Sequence, residues 1–390
     1  MFDSSLHYPD KPEWKHEPAY REEVAARLAG IFRIIDNPYF IDEPYQRAIE
    51  QADYCLSLPM STRQRMVAHW AQSKGYIGLL EWRRSSDALD DAHDLAEDLN
   101  DLPSCAEIAY TNGRVCAADL NYESSGDYNA LTLSHLSHLN TSERSPDPDF
   151  ESHVNLNLAS ANFTLERNDD ARTNLEQAKT LLDFLSIDIV QNPERFRHVA
   201  NIYWVEEILE RWFGQLPIAY NTALRAYDMY SRLPPDKYLN EIATIGGVIA
   251  ETAIDLADSL SKDPYSTARR TYLAVARSYI ELAAKAANSG QNDLTAGITL
   301  LTHARFLAAV GRTAEAEHYV EVADMTANEQ QNLAIAIQAR TTRGRIYVLC
   351  GEKDRAVNCF QTALDLAHAS ALPALGVWAR RELLWERELS

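Results

Sequence analysis

The sequence predicts an all-α chain in which antiparallel helix pairs stack into a right-handed α-solenoid. Three observations predict it. Gly and Pro number only 14 and 15 in 390 residues, while Ala, Leu, Glu and Arg recur at helical spacing and alternating β-branched runs are absent. The stretch GRTAEAEHYVEVA, starting at Gly311, is echoed 40 residues later by GEKDRAVNCFQTALDLA, starting at Gly351. Leu-Pro pairs at Leu58-Pro59, Leu102-Pro103, Leu233-Pro234 and Leu372-Pro373 each follow an amphipathic stretch. Proline ends one helix and suits the first turn of the next.

The echo has a physical reading. Gly311 and Gly351 free the backbone for a tight turn. Ala316 and Ala356, five residues on, let the second helix approach the first, and Val320 and Phe360 fill the space between them. Ala323 and Ala363 close the pattern. Upstream it recurs as Ala171, Leu175, Ala178; as Ala219, Ala223, Ala226; as Ala88, Ala92, Leu95; and as Ala48, Ala52, Cys55.

These positions resemble tetratricopeptide repeats, units of helix–turn–helix about 34 residues long. Over Arg340–Ala363, the residues Gly344, Tyr347, Gly351, Ala356, Phe360 and Ala363 match that family's Gly, Tyr, turn Gly, Ala, Phe and Ala. Arg340 and Arg343 replace the usual Trp and Leu, and the closing Pro is displaced to Pro373. The longer spacing resembles the extended repeats of bacterial signalling regulators and kinesin light chains. The resemblance implies a superhelical groove that binds a peptide or protein segment.

In chain order the punctuation predicts an extended arm over 1–17, broken by Pro9 and Pro12, then a repeat array over 18–370. Eight helix pairs are expected at 18–57, 62–99, 104–139, 149–186, 193–232, 237–288, 292–326 and 330–369. A C-terminal cap over 371–390 holds a last helix at 374–388. Gly246-Gly247, inside the sixth pair, reads as a place of close helix packing or a kink.

Composition narrows the function. With 46% apolar and 24% charged residues the chain is that of a folded soluble protein. A formal net charge of −20 argues against direct nucleic-acid binding, which draws its affinity from clustered Lys and Arg. The five cysteines include no CxxC, which fits reduced thiols in the cytoplasm. The N-terminus lacks an apolar signal core and no run approaches a membrane span, so no membrane partner is expected. No nucleophile elbow, P-loop or HExxH occurs, and neither enzyme, cofactor nor metal is expected.

Two surfaces remain as candidates. Asp90, Asp91 and Asp94 spell DDxxD, a magnesium–diphosphate spacing, but the alanines and leucines around them form the buried stripe. The aspartates then fall on a solvated face. With Asp87, Glu97 and Asp98 they form an acidic docking face for a basic segment, within a stretch holding eleven acidic residues and one Arg between 85 and 127. His135 and His138 stand three apart and read as an ordinary pair, because no third ligand is evident.

The family resemblance supplies the second surface. Tetratricopeptide arrays line their groove from set positions of each first helix, and setting Ala219 in the register places Asn201, Trp204, Ile208, Arg211 and Trp212 there. The same alignment gives Trp70, Arg305, Gln338 and Arg345. Trp and Arg are enriched at binding hot spots. The Lys and Asn of a chaperone-tail clamp are missing. A peptide- or protein-binding scaffold is therefore expected, with an effector-sensing repeat regulator as the alternative and an α/α-barrel enzyme behind both.

Overall fold

The computed structural model describes residues 15–17, 19–36, 43–139, 148–182, 193–260, 266–290, 293–370 and 373–388. Most of the arm expected over 1–17 lies outside them. The chain divides into two compact units, Met1–Leu182 and Asp183–Ser390. Among the described residues all regular structure is helical.

The first unit contains α1 (Glu22–Asp36), α2 (Pro44–Leu56), α3 (Thr62–Gly78), α4 (Trp82–Asp98), α5 (Leu102–Ala118), α6 (Tyr122–His138), α7 (Pro148–Thr164) and α8 (Asn168–Thr180). The second contains α9 (Pro193–Trp212), α10 (Leu216–Ser231), α11 (Pro235–Leu260), α12 (Thr267–Gly290), α13 (Asp293–Ala309), α14 (Thr313–Glu329), α15 (Leu333–Cys350) and α16 (Lys353–Ala369). A 3₁₀ turn, Pro373–Gly376, leads into α17 (Val377–Glu388). Within each unit, consecutive helices pack as antiparallel pairs. This is the α-solenoid architecture the repeat predicts.

One backbone device sets the repeat. Gly214, Gly311 and Gly351 adopt φ of 76°, 82° and 78°, and Leu80, Leu120 and Glu166 take the same left-handed turn at 61°, 60° and 62°. Five residues beyond each turn lies a small residue with almost no exposed surface: Ser85, Ser125, Ala171, Ala219, Ala316 and Ala356. Buried residues then follow at +4 and +7, as Ala316–Val320–Ala323 and Ala356–Phe360–Ala363 show. Helical geometry puts those offsets on one face.

The turn corrects the expected register of the second pair. Its buried residues are Ser85, Ala88, Leu89, Ala92 and Ala96, and Ser85, not Ala88, takes the small position five residues past the turn, three residues before the expected one. Ser85 Oγ answers its burial by donating to the Ser73 carbonyl at 3.2 Å. Trp70 and Trp204 consequently stand at equivalent places, each 15 residues before the small residue. The sixth pair is long, and its non-helical residue is Tyr238 (φ −124°, ψ 22°), not Gly246-Gly247. A Cβ added at Gly246 would meet the Tyr279 carbonyl of α12 at 3.7 Å, so α12 packs close against this face.

Candidate functional site

In the second unit the first helices α9, α11, α13 and α15, together with α17, bring a chain of opposite charges together. Glu207 and Arg211 lie one turn apart on α9. Arg211 Nε is 3.5 Å from Glu207 Oε1, and Arg211 Nη1 is 2.9 Å from Glu251 Oε2 on α11. Arg305 of α13 reaches Asp255 at 2.5 Å and Glu251 at 3.8 Å. Arg345 of α15 pairs with Glu382 of α17 at 2.7 Å. Charges taken from water need such partners, since an isolated buried ion is strongly disfavoured.

The cluster splits its carboxylates. Burial pushes Glu207 up to about 7, only partly offset by Arg211 and by a hydrogen bond from Thr252. Thr252 Oγ1 donates to Glu207 Oε1 at 2.8 Å, while Oε2 has no hydrogen-bond partner among the described residues. Burial also acts to raise Glu251 and Asp255, but the surrounding arginines outweigh it and hold both below the usual carboxylate range.

α17 completes the site. The last carbonyls of a helix lack intrahelical partners, and Arg381 supplies them for α9, donating to the Arg211 carbonyl at 2.6 Å and the Trp212 carbonyl at 3.2 Å. Trp378 meets Trp212 edge-on, with ring centroids 5.8 Å apart, and the Arg211 guanidinium lies 4.5 Å from the Trp378 ring. Burial pulls Arg381 down to about 10. Beside α17 opens a cavity of about 260 Å³, walled by Asp255, Asp258, Arg305, Arg345, Arg381 and Glu382, with Ile346, Val348 and Leu349 as its apolar side. Guanidinium donors next to apolar surface are recognition chemistry, suited to a carboxylate carried on a side chain or chain end.

The sequence-derived groove residues fare differently. Trp70 is enclosed, 1% exposed, within the first unit's core, and so lines no accessible groove. Arg211 and Arg305 are buried in ion pairs. Asn201 accepts a hydrogen bond from Tyr230, Trp204 packs on the core around Phe196 and Ala223, and Trp212 is covered by Trp378. Ile208 and Gln338 are half-buried. Arg305 and Arg345 reach the cavity. Sequence reasoning missed Trp378, Arg381 and Glu382, although VWARRELLWERE, with its alternation of aromatic, basic and acidic residues, offered a signal.

On the first unit, Asp87, Asp90, Asp91, Asp94, Glu97 and Asp98 all lie on the exposed side of α4. Asp90 departs from the docking role. Its carboxylate accepts from Asn112 Nδ2 at 2.8 Å and Tyr128 Oη at 2.6 Å, tying α4 to α5 and α6. Asp91 lies 3.5 Å from His69, whose burial lowers its basicity. No described helix is long and apolar enough to cross a membrane.

No protein-family model and no curated protein matches the chain. Solved structures do. The apo form of the quorum sensor NprR from B. thuringiensis aligns over 91% of this chain and 90% of its own, with TM-score 0.64 at 11% identity. Aspartyl phosphate phosphatase F from Bacillus subtilis aligns over 91% and 86%, with TM-score 0.61 at 8% identity. A Rap protein complexed with competence and sporulation factor aligns over 95% and 98%, with TM-score 0.56 at 12% identity. With the repeat register and turn geometry above, these likenesses establish the fold as a tetratricopeptide-like helical-repeat array.

Proposed function

We propose that the chain is a non-catalytic, cytoplasmic regulatory protein that holds a peptide or protein segment against the first-helix side of its second unit. The observation that carries this reading is the cavity beside α17, where Arg305, Arg345 and Arg381 converge next to the apolar Ile346–Leu349 wall. A partner carboxylate there competes with Glu382 for Arg345, and an apolar neighbour on the partner covers Val348 and Leu349, both substantially exposed. The acidic side of α4 draws in partners with basic segments over longer range. The names of the solved neighbours, a quorum sensor and a Rap protein complexed with competence and sporulation factor, support the same class of role.

The size of the cavity favours a second reading. About 260 Å³ accommodates a small ligand or the end of a signal peptide better than a long protein segment. A photo-crosslinking residue placed at Leu349 in the native cell separates the two. A protein-sized adduct supports the scaffold, and a short peptide or small-molecule adduct supports the sensor. Either adduct must disappear with Arg345→Ala and be missing when the crosslinker sits at exposed Leu80. Identical adducts at both positions, insensitive to Arg345, would end the proposal.

A further inference from the structure

Three side chains of the first unit, absent from the surfaces above, meet between α4, α5 and α6. They are His93, Cys105 and His135, and their ligand atoms all lie within 4.8 Å of one another. The two Nε2 atoms stand 3.1 Å apart, with the imidazole planes tilted by 47°. Cys105 is 1% and His135 9% exposed, so both are withdrawn from bulk water.

The repeat geometry puts them there. His93 follows Ala92 of the inward stripe of α4, Cys105 sits in the first turn of α5, and His135 lies three residues after buried Thr132 on α6. A single proton shared between the imidazoles explains the His–His contact but gives the thiol no part. A metal gives all three a part. Zinc held at ~2.0–2.1 Å by nitrogen and ~2.3 Å by sulfur in tetrahedral geometry separates its ligand atoms by about 3.3–3.6 Å. The nitrogen pair already spans close to that distance, and modest side-chain rotation brings in Cys105 Sγ.

We propose that His93, Cys105 and His135 form a binding site for a zinc-class transition-metal ion, with the fourth position open. Two imidazoles and one thiolate are a borderline-soft set that selects zinc over magnesium or calcium. Glu97, one turn beyond His93, forms with His93 and Asp94 a second, adjoining group of ligand atoms within 4.8 Å of one another. The ion takes the place of the proton between the rings, that proton passing to Nδ1 of its own imidazole so that both rings stay neutral, and the Cys105 proton leaves to solvent as the thiolate coordinates. Bound there, it staples α4, α5 and α6 together.

The test uses the full chain stripped with a chelator, then titrated with zinc by calorimetry and with cobalt by absorbance. Equimolar zinc binding is expected, and cobalt should give a thiolate-to-metal charge-transfer band with strong tetrahedral d–d bands. Cys105→Ser should abolish the charge-transfer band. His93→Ala and His135→Ala should each weaken zinc binding by at least about tenfold, whereas Asp91→Asn with Asp98→Asn should leave it unchanged. If a variant fails to fold, zinc-dependent protection of Cys105 from alkylation in the unaltered chain decides. The site is overturned by absence of stoichiometric binding, by cobalt spectra lacking the thiolate band, or by folded Cys105 and His135 variants that bind as before. Undiminished binding in those variants would put the ion on the acidic face.

Discussion

Arg211 sits where burial and charge compete most directly. With 6% of its surface exposed and two carboxylates in reach, it serves the fold before any partner. Removing one member of a buried pair strands the other, so Arg211→Ala should cost ~3–5 kcal/mol in denaturant unfolding. Glu207 gives a pH signature. Its ordinary value is 4.5 and its folded value about 7, so between them the folded chain holds a proton that the unfolded chain releases. Its contribution to stability is full below the ordinary value and is lost as pH rises through the folded one. Glu251 and Asp255, held low, act in the opposite sense, and theirs is lost as pH falls. Subtracting the melting-temperature profile of Glu207→Gln from that of the unaltered chain should therefore leave a decline across that interval. A flat difference would mean Glu207 is ionised throughout. The sequence drew attention to Arg211 and Trp212 by their place in the repeat register and by residue type. It gave no hint of their burial, because Glu251, Asp255 and Trp378 lie 40 or more residues away.

At the level of the helix, the fold was most legible where the turn residue is glycine and the small residue alanine, in the pairs α13–α14 and α15–α16. It was least legible in the second and third pairs. There leucines take the left-handed turn at Leu80 and Leu120, and Ser85, Ser125, Asn129 and Thr132 occupy buried positions that alanine and bulky apolar residues fill elsewhere. Such polar residues hide the apolar periodicity, yet Ser85, Asn129 and Thr132 fold inward with each donating a hydrogen bond to a backbone carbonyl, Ser85 to that of Ser73 on α3. Asn129 donates to the Ser125 carbonyl and Thr132 to the Tyr128 carbonyl. Gly344 tests the packing rule. A Cβ added there would meet Phe360 Cε1 at 2.4 Å. On an open helix surface Gly→Ala stabilises by ~1 kcal/mol. Overpacking reverses the sign, so Gly344→Ala should destabilise by ~1–3 kcal/mol. Adding Phe360→Leu should return part of that loss, which a urea-unfolding cycle of the four proteins measures.

Across the whole molecule the dominant property is a formal charge of −20, unevenly placed. The exposed side of α4 concentrates it: Asp87 and Asp91, Asp90 and Asp94, and Asp94 and Asp98 are like-charge pairs one turn apart. Each such pair costs ~0.2–0.5 kcal/mol in an isolated helix. Asp90 has a structural duty toward Asn112 and Tyr128, so the residues free to act on a partner are its neighbours. Replacing Asp91, Asp94 and Asp98 by Asn touches all three pairs and leaves the Asp90 hydrogen bonds in place. The triple variant should keep its helical circular dichroism and melt at the same temperature or slightly higher. Its association with a Lys/Arg-rich probe peptide should slow, and the unaltered chain should lose the same advantage as salt shortens the Debye length to ~8 Å near physiological ionic strength. Because exposed charges act mainly on encounter, the loss should appear in the association rate and leave dissociation nearly constant. Stopped-flow fluorescence at several salt concentrations reads both rates. Association indifferent to salt and to the three substitutions would reduce the acidic side of α4 to a solvated surface with no part in partner capture.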